Sequence, residues 1–377
     1  MQNSRTLRCL LLVCSCHIMT ACSSPSSIPT HFDAIERMPI QTVLVHDQRI
    51  AYLDVGAGPA GHPDPRLRGS MWQWEQQQHA LSQHFRVLTL DLPGAGLSDK
   101  PEIDYRPDQM LDFFVGFMDA VKIQQATLVG NSMGAGLAIG MALAHPTRVA
   151  KLVLIDGLPQ HVMEKLTSPS VRRALETTAP SWLVSFGNML FGGLMIESVL
   201  KEIVHDPALL TPAVIERSNR NRQRPGLIKP IMTVRENLPL WESGFATRFG
   251  EITHPTLVIW GEEDRVFPIA VGEELHQTIK GSRFIRIPKA GHIPQWERPD
   301  LVNQELITFY STLGSLVYLV CLVHLVCLVH RVGLVQPNKQ DRPDRPTDFF
   351  GILLITQAHA TVFLIECVTV ASPRRAI

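Results

Sequence analysis

The sequence predicts an α/β protein with a mostly parallel, doubly wound sheet and a block of helices inserted after its sixth strand. Short apolar runs alternate with helical periodicity over residues 86–156 and again over 256–310. Such alternation is typical of parallel strands that are covered by helices on both faces of the sheet. Residues 158–245 lose the alternation and have helical patterning throughout. We therefore expect a cap of helices above the strand ends.

The individual elements follow in chain order. Residues 42–46 and 49–55 alternate like two antiparallel strands around a turn at Asp47 and Gln48. A third strand is expected next, but residues 61–68 are polar and interrupted by prolines, which a central strand does not tolerate. The remaining predicted elements are helices at 71–84, 110–121, 132–144, 269–279 and 299–310, and strands at 86–91, 127–129, 151–156, 256–260 and 282–287.

A serine between two glycines lies at the junction of a strand and a helix. The segment Gly130-Asn131-Ser132-Met133-Gly134 follows a short apolar run and precedes a helix of small residues. This context is that of a nucleophile elbow, in which Gly130 and Gly134 avoid collisions at a sharp turn. Ser132 would then stand at a helix N-terminus, where backbone N–H groups favour a developing negative charge.

A serine hydroxyl needs a general base, and the base needs an orienting carboxylate. Downstream, the apolar strand ending at Trp260 leads into carboxylates, of which Asp264 is the best candidate for the acid. Glu262 and Glu263 are expected to be solvated turn residues. His292 lies in a glycine-bordered loop after the next strand, which completes the order serine, acid, histidine.

These segments together resemble the α/β-hydrolase superfamily, in its capped serine-hydrolase branch. The resemblance covers residues 38–313 and rests on GNSMG at 130–134, DLPGAGLSD at 91–99, GEEDRVFP at 261–268 and GHIPQWERP at 291–299. It implies that Ser132 is the nucleophile, His292 the general base and Asp264 its orienter. It also implies that the backbone N–H of Met133 is one oxyanion donor.

Residues 61–68 depart from the family pattern, in which the third strand ends in a His-Gly turn that supplies the second oxyanion donor. That donor is therefore unassigned in the region of Arg66 and Leu67. One permitted set of codons for residues 61–68, read one base later, encodes Val-Ile-Leu-Ile-His-Gly-Phe, which is the expected strand and turn. We hypothesise a compensated double frameshift here, and the alternative is a divergent loop.

The residue type at the nucleophile position distinguishes between the reactions that this family catalyses. Aspartate at the elbow characterises the dehalogenase-like and epoxide-hydrolase-like branches, so Ser132 argues against both. We expect a carboxylic ester hydrolase acting on a small apolar acyl substrate through an acyl-enzyme. The alternatives are a C–C bond hydrolase of the meta-cleavage-product type and a ligand-binding homologue without turnover. Most apolar residues of the cap are expected to form its core and a minority to line an acyl pocket: Trp182, Leu183, Phe186, Met189, Leu190, Phe191, Leu194 and Met195.

Charge and cysteine usage exclude several classes of function. The 35 basic and 35 acidic residues balance, which argues against nucleic-acid binding. All seven cysteines lie outside residues 23–315, so the catalytic body offers neither a thiol nucleophile nor a disulfide. Cys and His residues do not have zinc spacing, and we expect no metal and no cofactor. The run 216–224 is mainly basic and is expected to be a solvated helix face.

The two ends of the chain are predicted to lie outside the catalytic body. Residues 1–22 combine a basic flank, an apolar run and small residues, which indicates a signal peptide of lipoprotein type with Cys22 as the lipidated residue. Residues 23–37 would be a tether. The protein would be exported and anchored on the periplasmic side or at the outer membrane, or cytoplasmic if this segment is not a signal. Residues 314–377, with their Leu-Val repeats, are interpreted as an appended tail.

The sequence thus divides the body into a first core segment at 38–157, a cap at 158–245 and a second core segment at 246–313.

Overall fold

The computed structural model describes residues 40–56 and 71–311 and the backbone of 318–323. The predicted signal peptide, Cys22, the tether and the unassigned region of Arg66 and Leu67 lie outside the described residues.

The described strands form one sheet of eight in the order β1-β2-β3-β8-β4-β5-β6-β7. β1 and β2 are antiparallel, as are β2 and β3, and every later pair in the sheet is parallel. The prediction of a mostly parallel sheet with an inserted cap is confirmed. The strand bounds are β1 Gln41–Val45, β2 Gln48–Val55, β3 Arg86–Asp91, β4 Ala126–Asn131, β5 Val149–Ile155, β6 Thr256–Gly261, β7 Arg283–Ile287 and β8 Tyr318–Val323.

Helices cover both faces of this sheet. A 3₁₀ turn at Met71–Trp74 leads into α1, which lies with α11 on one face, and α2, α3 and α9 lie on the other. Buried side chains of β3, β4, β5 and β6 alternate between these two layers, as strand geometry requires. The core helices are α1 Glu75–Leu81, α2 Pro107–Ala120, α3 Met133–Ala144, α9 Ile269–Thr278, α10 Pro294–Glu297 and α11 Pro299–Ser311.

The cap consists of five helices between β5 and β6. Two of them begin where the sequence offers a capping side chain followed by proline: the hydroxyls of Ser168 and Thr211 accept the N–H groups of Val171 and Val214. In chain order the cap follows the fifth described strand, and not the sixth as the sequence predicted. The reason is that the described residues before β3 form two strands, whereas three were expected. Its helices are α4 Val162–Lys165, α5 Pro169–Glu176, α6 Ser181–Ile203, α7 Pro212–Arg222 and α8 Ile228–Gly244.

By length and composition alone, α6 could cross a membrane, and it is the one such helix among the described residues. Its inner face, however, packs in the protein core through Val184, Ile196, Leu200 and Ile203.

The interpretation of residues 314–377 as a mere appendage is wrong for Tyr318–Val323. This segment is β8, and it pairs in parallel with β3 over Arg86–Asp91 and with β4 over 127–130. Its Leu-Val repeat does not alternate between apolar and polar residues, but a strand that is covered on both faces of the sheet needs only a continuous apolar run. β8 thus fills the single strand position between β3 and β4.

We predict that a chain stopped after Ser311 loses cooperative thermal unfolding and becomes largely insoluble, because β3 and β4 then lose the described strand that pairs with both of them. A chain stopped after Val332 retains β8 and should keep the unfolding midpoint of the full chain. Circular dichroism during heating and the soluble fraction on expression measure both. An equal midpoint for the two truncated chains would contradict the role of β8. Placing Val-Ile-Leu-Ile-His-Gly-Phe at 61–67 should rescue the shorter chain.

Candidate active site

Ser132 occupies a sharp turn between β4 and α3, and its backbone has φ 52° and ψ −116°. A non-glycine residue at positive φ is strained, so the surrounding structure must hold it there. The residue is fully buried. Its N–H donates to the carbonyl of Ile155 on the neighbouring strand at 2.9 Å, which fixes the turn to β5.

The tight approach of α3 to β4 explains the glycine at 130. A Cβ atom there would lie 2.2 Å from the carbonyl carbon of Gly134 and 2.3 Å from the nitrogen of Ala135. Both of these are backbone atoms, which cannot swing away as a side chain can. The elbow therefore excludes every residue larger than glycine at this position.

Asp264 and His292 form a buried pair. Asp264 Oδ2 lies 2.7 Å from His292 Nδ1, and both side chains are withdrawn from solvent. The other carboxylate oxygen accepts the N–H groups of Val266 and Phe267 at 2.7 and 3.2 Å, which orients the carboxylate. With Nδ1–H donating to Asp264, the lone pair of Nε2 is the one available as a base.

Asn131 connects the serine turn to the histidine loop. Its side-chain nitrogen donates to the carbonyl of His292 at 3.0 Å and to that of Ile155 at 3.2 Å. Ser132 Oγ and His292 Nε2 have no hydrogen-bond partner within the described part of the chain. The structure thus brings the acid and the histidine into direct contact, and it places the serine next to the residue that binds the histidine's backbone.

The N–H of Met133 opens α3, and the first N–H groups of a helix have no acceptor inside the helix. This group is therefore available to an oxyanion at the serine. The second donor, expected near Arg66 and Leu67, lies outside the described residues.

A second aspartate adjoins the acid–histidine pair. Asp156 follows β5, is fully buried, and accepts the N–H of Gly261 at 2.9 Å. Potential ligand atoms of Asp156, Asp264 and His292 all lie within 4.8 Å of one another. Burial raises the pKa of Asp156 well above its ordinary range, and the charge of Asp264 raises it further. When it is protonated, Asp156 can donate a hydrogen bond to Asp264.

Glu297 holds the histidine loop against the end of α6. Its carboxylate accepts the N–H groups of Gly291 and His205, each at 2.7 Å, and that of Asp206 at 3.3 Å. Burial raises its pKa to about 7, although these three hydrogen bonds pull it down.

A cavity of about 120 Å³ opens beside Ser132, between the sheet's carboxyl edge and the cap. Its described lining is almost wholly apolar and includes Leu158, Trp241 and Phe267, with no charged residue. Phe267 also lies 5.9 Å from the His292 ring, between ring centroids, so the cavity adjoins the pair. An apolar group bound there would be next to Ser132.

The prediction that the apolar residues of α6 form the cap core is wrong. Seven of them are exposed, from 36% for Leu183 to 76% for Leu194, and Met195 is half-buried. None of the eight is among the described residues lining the cavity. The seven exposed residues are Trp182, Leu183, Phe186, Met189, Leu190, Phe191 and Leu194.

The basic run 216–224 is also only partly solvated. Arg222 is buried and donates to the backbone and side-chain oxygens of Asn188 on α6. Arg217 is 11% exposed and lies 3.9 Å from Glu75. Burial raises the pKa of Glu75 to about 7, and the positive charge of Arg217 partly offsets this.

Sequence reasoning did not assign roles to Asp156, Asn131 or Glu297. Asp156 was visible only as the last residue of a buried strand. A carboxylate in that place, directly after KLVLI, is the signal that could have identified it.

We predict that Asp156→Asn stabilises the protein at pH 7–8 and that this gain disappears towards pH 4. The folded-state pKa of Asp156 is raised, so the unfolded chain loses the proton first as pH rises above about 4. Folding of the wild-type chain then requires proton uptake and becomes less favourable as the pH rises. The asparagine variant takes up no proton, so its stability does not fall for this reason. Thermal unfolding between pH 4.5 and 8 measures the difference. The exposed Asp104→Asn is the control, and an Asp156→Asn gain that is equal at every pH would contradict the assignment.

We also predict that Gly130→Ala lowers the free energy of unfolding by roughly 3 kcal/mol or more, because the new methyl group meets backbone at 2.2 Å. Gly244→Ala is the matched control, since a Cβ there has no neighbour within 4 Å. Urea unfolding of the two variants provides the comparison. Equal stability would show that the elbow is looser than the structure has it.

Comparisons with known proteins agree with this fold. Residues 61–299 match the family model for the alpha/beta hydrolase fold. The chain is 30% identical over 280 residues to 2-hydroxymuconate semialdehyde hydrolase of Pseudomonas putida, covering 72% of this chain and 92% of that protein. It is 29% identical over 229 residues to 2-hydroxy-6-oxo-6-phenylhexa-2,4-dienoate hydrolase of Burkholderia cepacia, covering 60% of this chain and 77% of that protein.

A solved structure of a mutant of the meta-cleavage product hydrolase CumD is similar in fold. Its TM-score is 0.60 at 24% identity, over 74% of this chain and all of that one. The family match spans well over half of the sequence and includes the serine elbow, the acid and the histidine. The chain therefore belongs to the α/β-hydrolase family of enzymes.

Proposed function

We propose that this protein is a serine-dependent hydrolase that cleaves a carbon–carbon bond in a substrate of the meta-cleavage-product class. Ser132 is the nucleophile, His292 the general base and Asp264 the residue that orients it. The observation that carries the catalytic assignment is the buried 2.7 Å hydrogen bond between Asp264 and His292, next to a strained, buried serine. Relatives named as C–C bond hydrolases support this substrate class over the ester favoured by sequence alone.

The reaction begins with proton transfer. Nε2 of His292 accepts the proton of Ser132 Oγ as this oxygen adds to the ketone carbon of the substrate. Asp264 stabilises the imidazolium that results and keeps Nδ1 protonated. The N–H of Met133 donates to the oxyanion that forms on the former ketone oxygen.

C–C cleavage differs from ester cleavage in its leaving group. The electron pair of the broken bond stays with the carbon of the conjugated fragment that was bonded to the ketone carbon. His292 delivers to this carbon the proton that it took from Ser132. The other fragment stays on Ser132 as an ester. Water, activated by His292, then attacks that ester and releases a carboxylic acid, which restores Ser132.

A carboxylic ester is the second candidate substrate, and one observation favours it. The described lining of the cavity has no charged residue, whereas the relatives' substrates carry carboxylates by name. Burying an unpaired carboxylate in such a cavity is costly. A neutral ester with a small apolar acyl group avoids that cost.

We predict that Ser132→Ala lowers kcat/KM by at least about 10³-fold on whichever substrate the protein turns over, because no hydroxyl remains to form the acyl-enzyme. The substrates to compare are 2-hydroxy-6-oxo-6-phenylhexa-2,4-dienoate and p-nitrophenyl butyrate, each followed by absorbance. Faster turnover of the first supports C–C cleavage, and turnover of the second alone assigns an esterase.

Covalent labelling by a fluorophosphonate provides an independent measure of the nucleophile. The wild-type chain should be labelled at Ser132, and the alanine variant should not. A folded wild-type chain that is not labelled and turns over neither substrate would overturn the proposal and leave a ligand-binding homologue. The most informative companion variant is the chain with Val-Ile-Leu-Ile-His-Gly-Phe at 61–67, which tests the unassigned second oxyanion donor.

A further inference from the structure

The outer face of α6 is an unusual surface for a water-soluble protein. Its first fourteen residues expose seven large apolar side chains, including Trp182 at 69% and Leu194 at 76%. We call this set, the seven exposed residues named above, the α6 patch. Single exposed apolar residues are ordinary, but a contiguous patch of this size marks an interaction site.

The patch is free of ionisable groups and ends abruptly. Residues 181–196 include no acidic, basic or histidine side chain. One turn beyond Leu194 the exposed face becomes charged, with Glu197 and Lys201 paired at 2.7 Å. The boundary between an apolar and an aqueous surrounding therefore falls near residue 196. Burial of a charge in hydrocarbon is costly, so this distribution fits a hydrocarbon partner.

The width of the patch distinguishes a lipid from a protein partner. Viewed down the helix axis at 3.6 residues per turn, the seven exposed side chains span an arc of roughly 200°, with Met189 at one edge and Phe191 at the other. The apolar stripe by which a surface helix packs on a protein core is typically about 100° wide or somewhat more. Fluid acyl chains can contact the whole exposed arc, because they surround whatever is immersed in them.

The opposite face of α6 prevents the helix from spanning a bilayer. Val184, Ile196, Val199 and Ile203 are buried in the protein core. Arg222 passes so close to Gly192 that a Cβ there would lie 2.1 Å from its guanidinium. A helix held on one side in this way can lie in the plane of a membrane surface with its outer side immersed.

We propose that the α6 patch docks this protein on a phospholipid membrane surface, with α6 parallel to the membrane and Trp182 immersed among the acyl chains. The predicted lipidation at Cys22, eighteen residues before Ile40, would place the body beside the same membrane. Leu240 is also exposed, and it lies on α8, the helix whose Leu238 and Trp241 line the cavity. Docking does not depend on the proposed reaction.

Tryptophan fluorescence tests the proposal on the full chain. Trp182 is exposed, whereas Trp72, Trp74, Trp241 and Trp260 are buried and Trp296 is half-buried against Trp72. Phosphatidylcholine vesicles brominated along the acyl chains should quench the wild-type chain, relative to unbrominated vesicles. Trp182→Phe should remove most of that quenching while the protein still binds. Quenching that persists in this variant, or that is absent from the wild type, would overturn the proposal.

Matched variants separate the patch from the predicted anchor and from self-association. Phe186→Ser with Leu194→Ser should weaken vesicle partitioning by about tenfold or more, since two large apolar side chains no longer leave water. Leu44→Ser, at an equally exposed apolar residue on β1, should leave it unchanged. Cys22→Ser should retain the quenching of Trp182, because an acyl anchor alone does not immerse it. A dimer in sedimentation that the double variant dissociates, without lipid quenching, would assign the patch to a second copy instead.

Discussion

Three of the four polar atoms of His292 are each bound by a different part of the chain. Its N–H donates to Ile203 at the end of α6, its carbonyl accepts from Asn131, and Nδ1 bonds to Asp264. Nε2 alone has no partner among the described residues. The imidazole is thereby fixed in position and in tautomer, with its one free lone pair left for chemistry. The loop between β7 and α10, the cap and the ends of β4 and β6 all meet at this residue.

Bringing these segments together at His292 lowers the stability of the fold at three residues. Ser132 adopts a strained backbone, and Asp156 and Glu297 are carboxyl groups whose burial raises their pKa values. The hydrogen bonds around the histidine loop offset part of that cost: Glu297 accepts three N–H groups and Asp264 two. Function-related strain is tolerated here because it is concentrated where the polar network is densest.

The sequence predicted what local chemistry determines. The serine elbow, the acid after β6 and the histidine after β7 are each visible in a few adjacent residues, and the alternation of strands and helices predicted the sheet. Asp156 was missed because 108 residues separate it from Asp264, and only the sheet brings the two carboxyl groups together. The outer face of α6 was misassigned because an apolar helix has the same composition whether its partner is protein or lipid. β8 was missed because a central parallel strand carries no periodicity to detect.

The position of β8 connects the fold to catalysis. It lies beside β4, the strand whose carboxyl end carries Ser132, and it runs parallel to it over residues 127–130. The backbone that leaves the carboxyl end of a strand in this position emerges next to the serine turn. A strand at 61–67 joined by α1 to β3 would form a right-handed crossover and take the same position. Only one segment can occupy it. We infer that the choice of strand decides whether a second N–H group can stand opposite that of Met133, and hence whether the oxyanion can receive a second hydrogen bond.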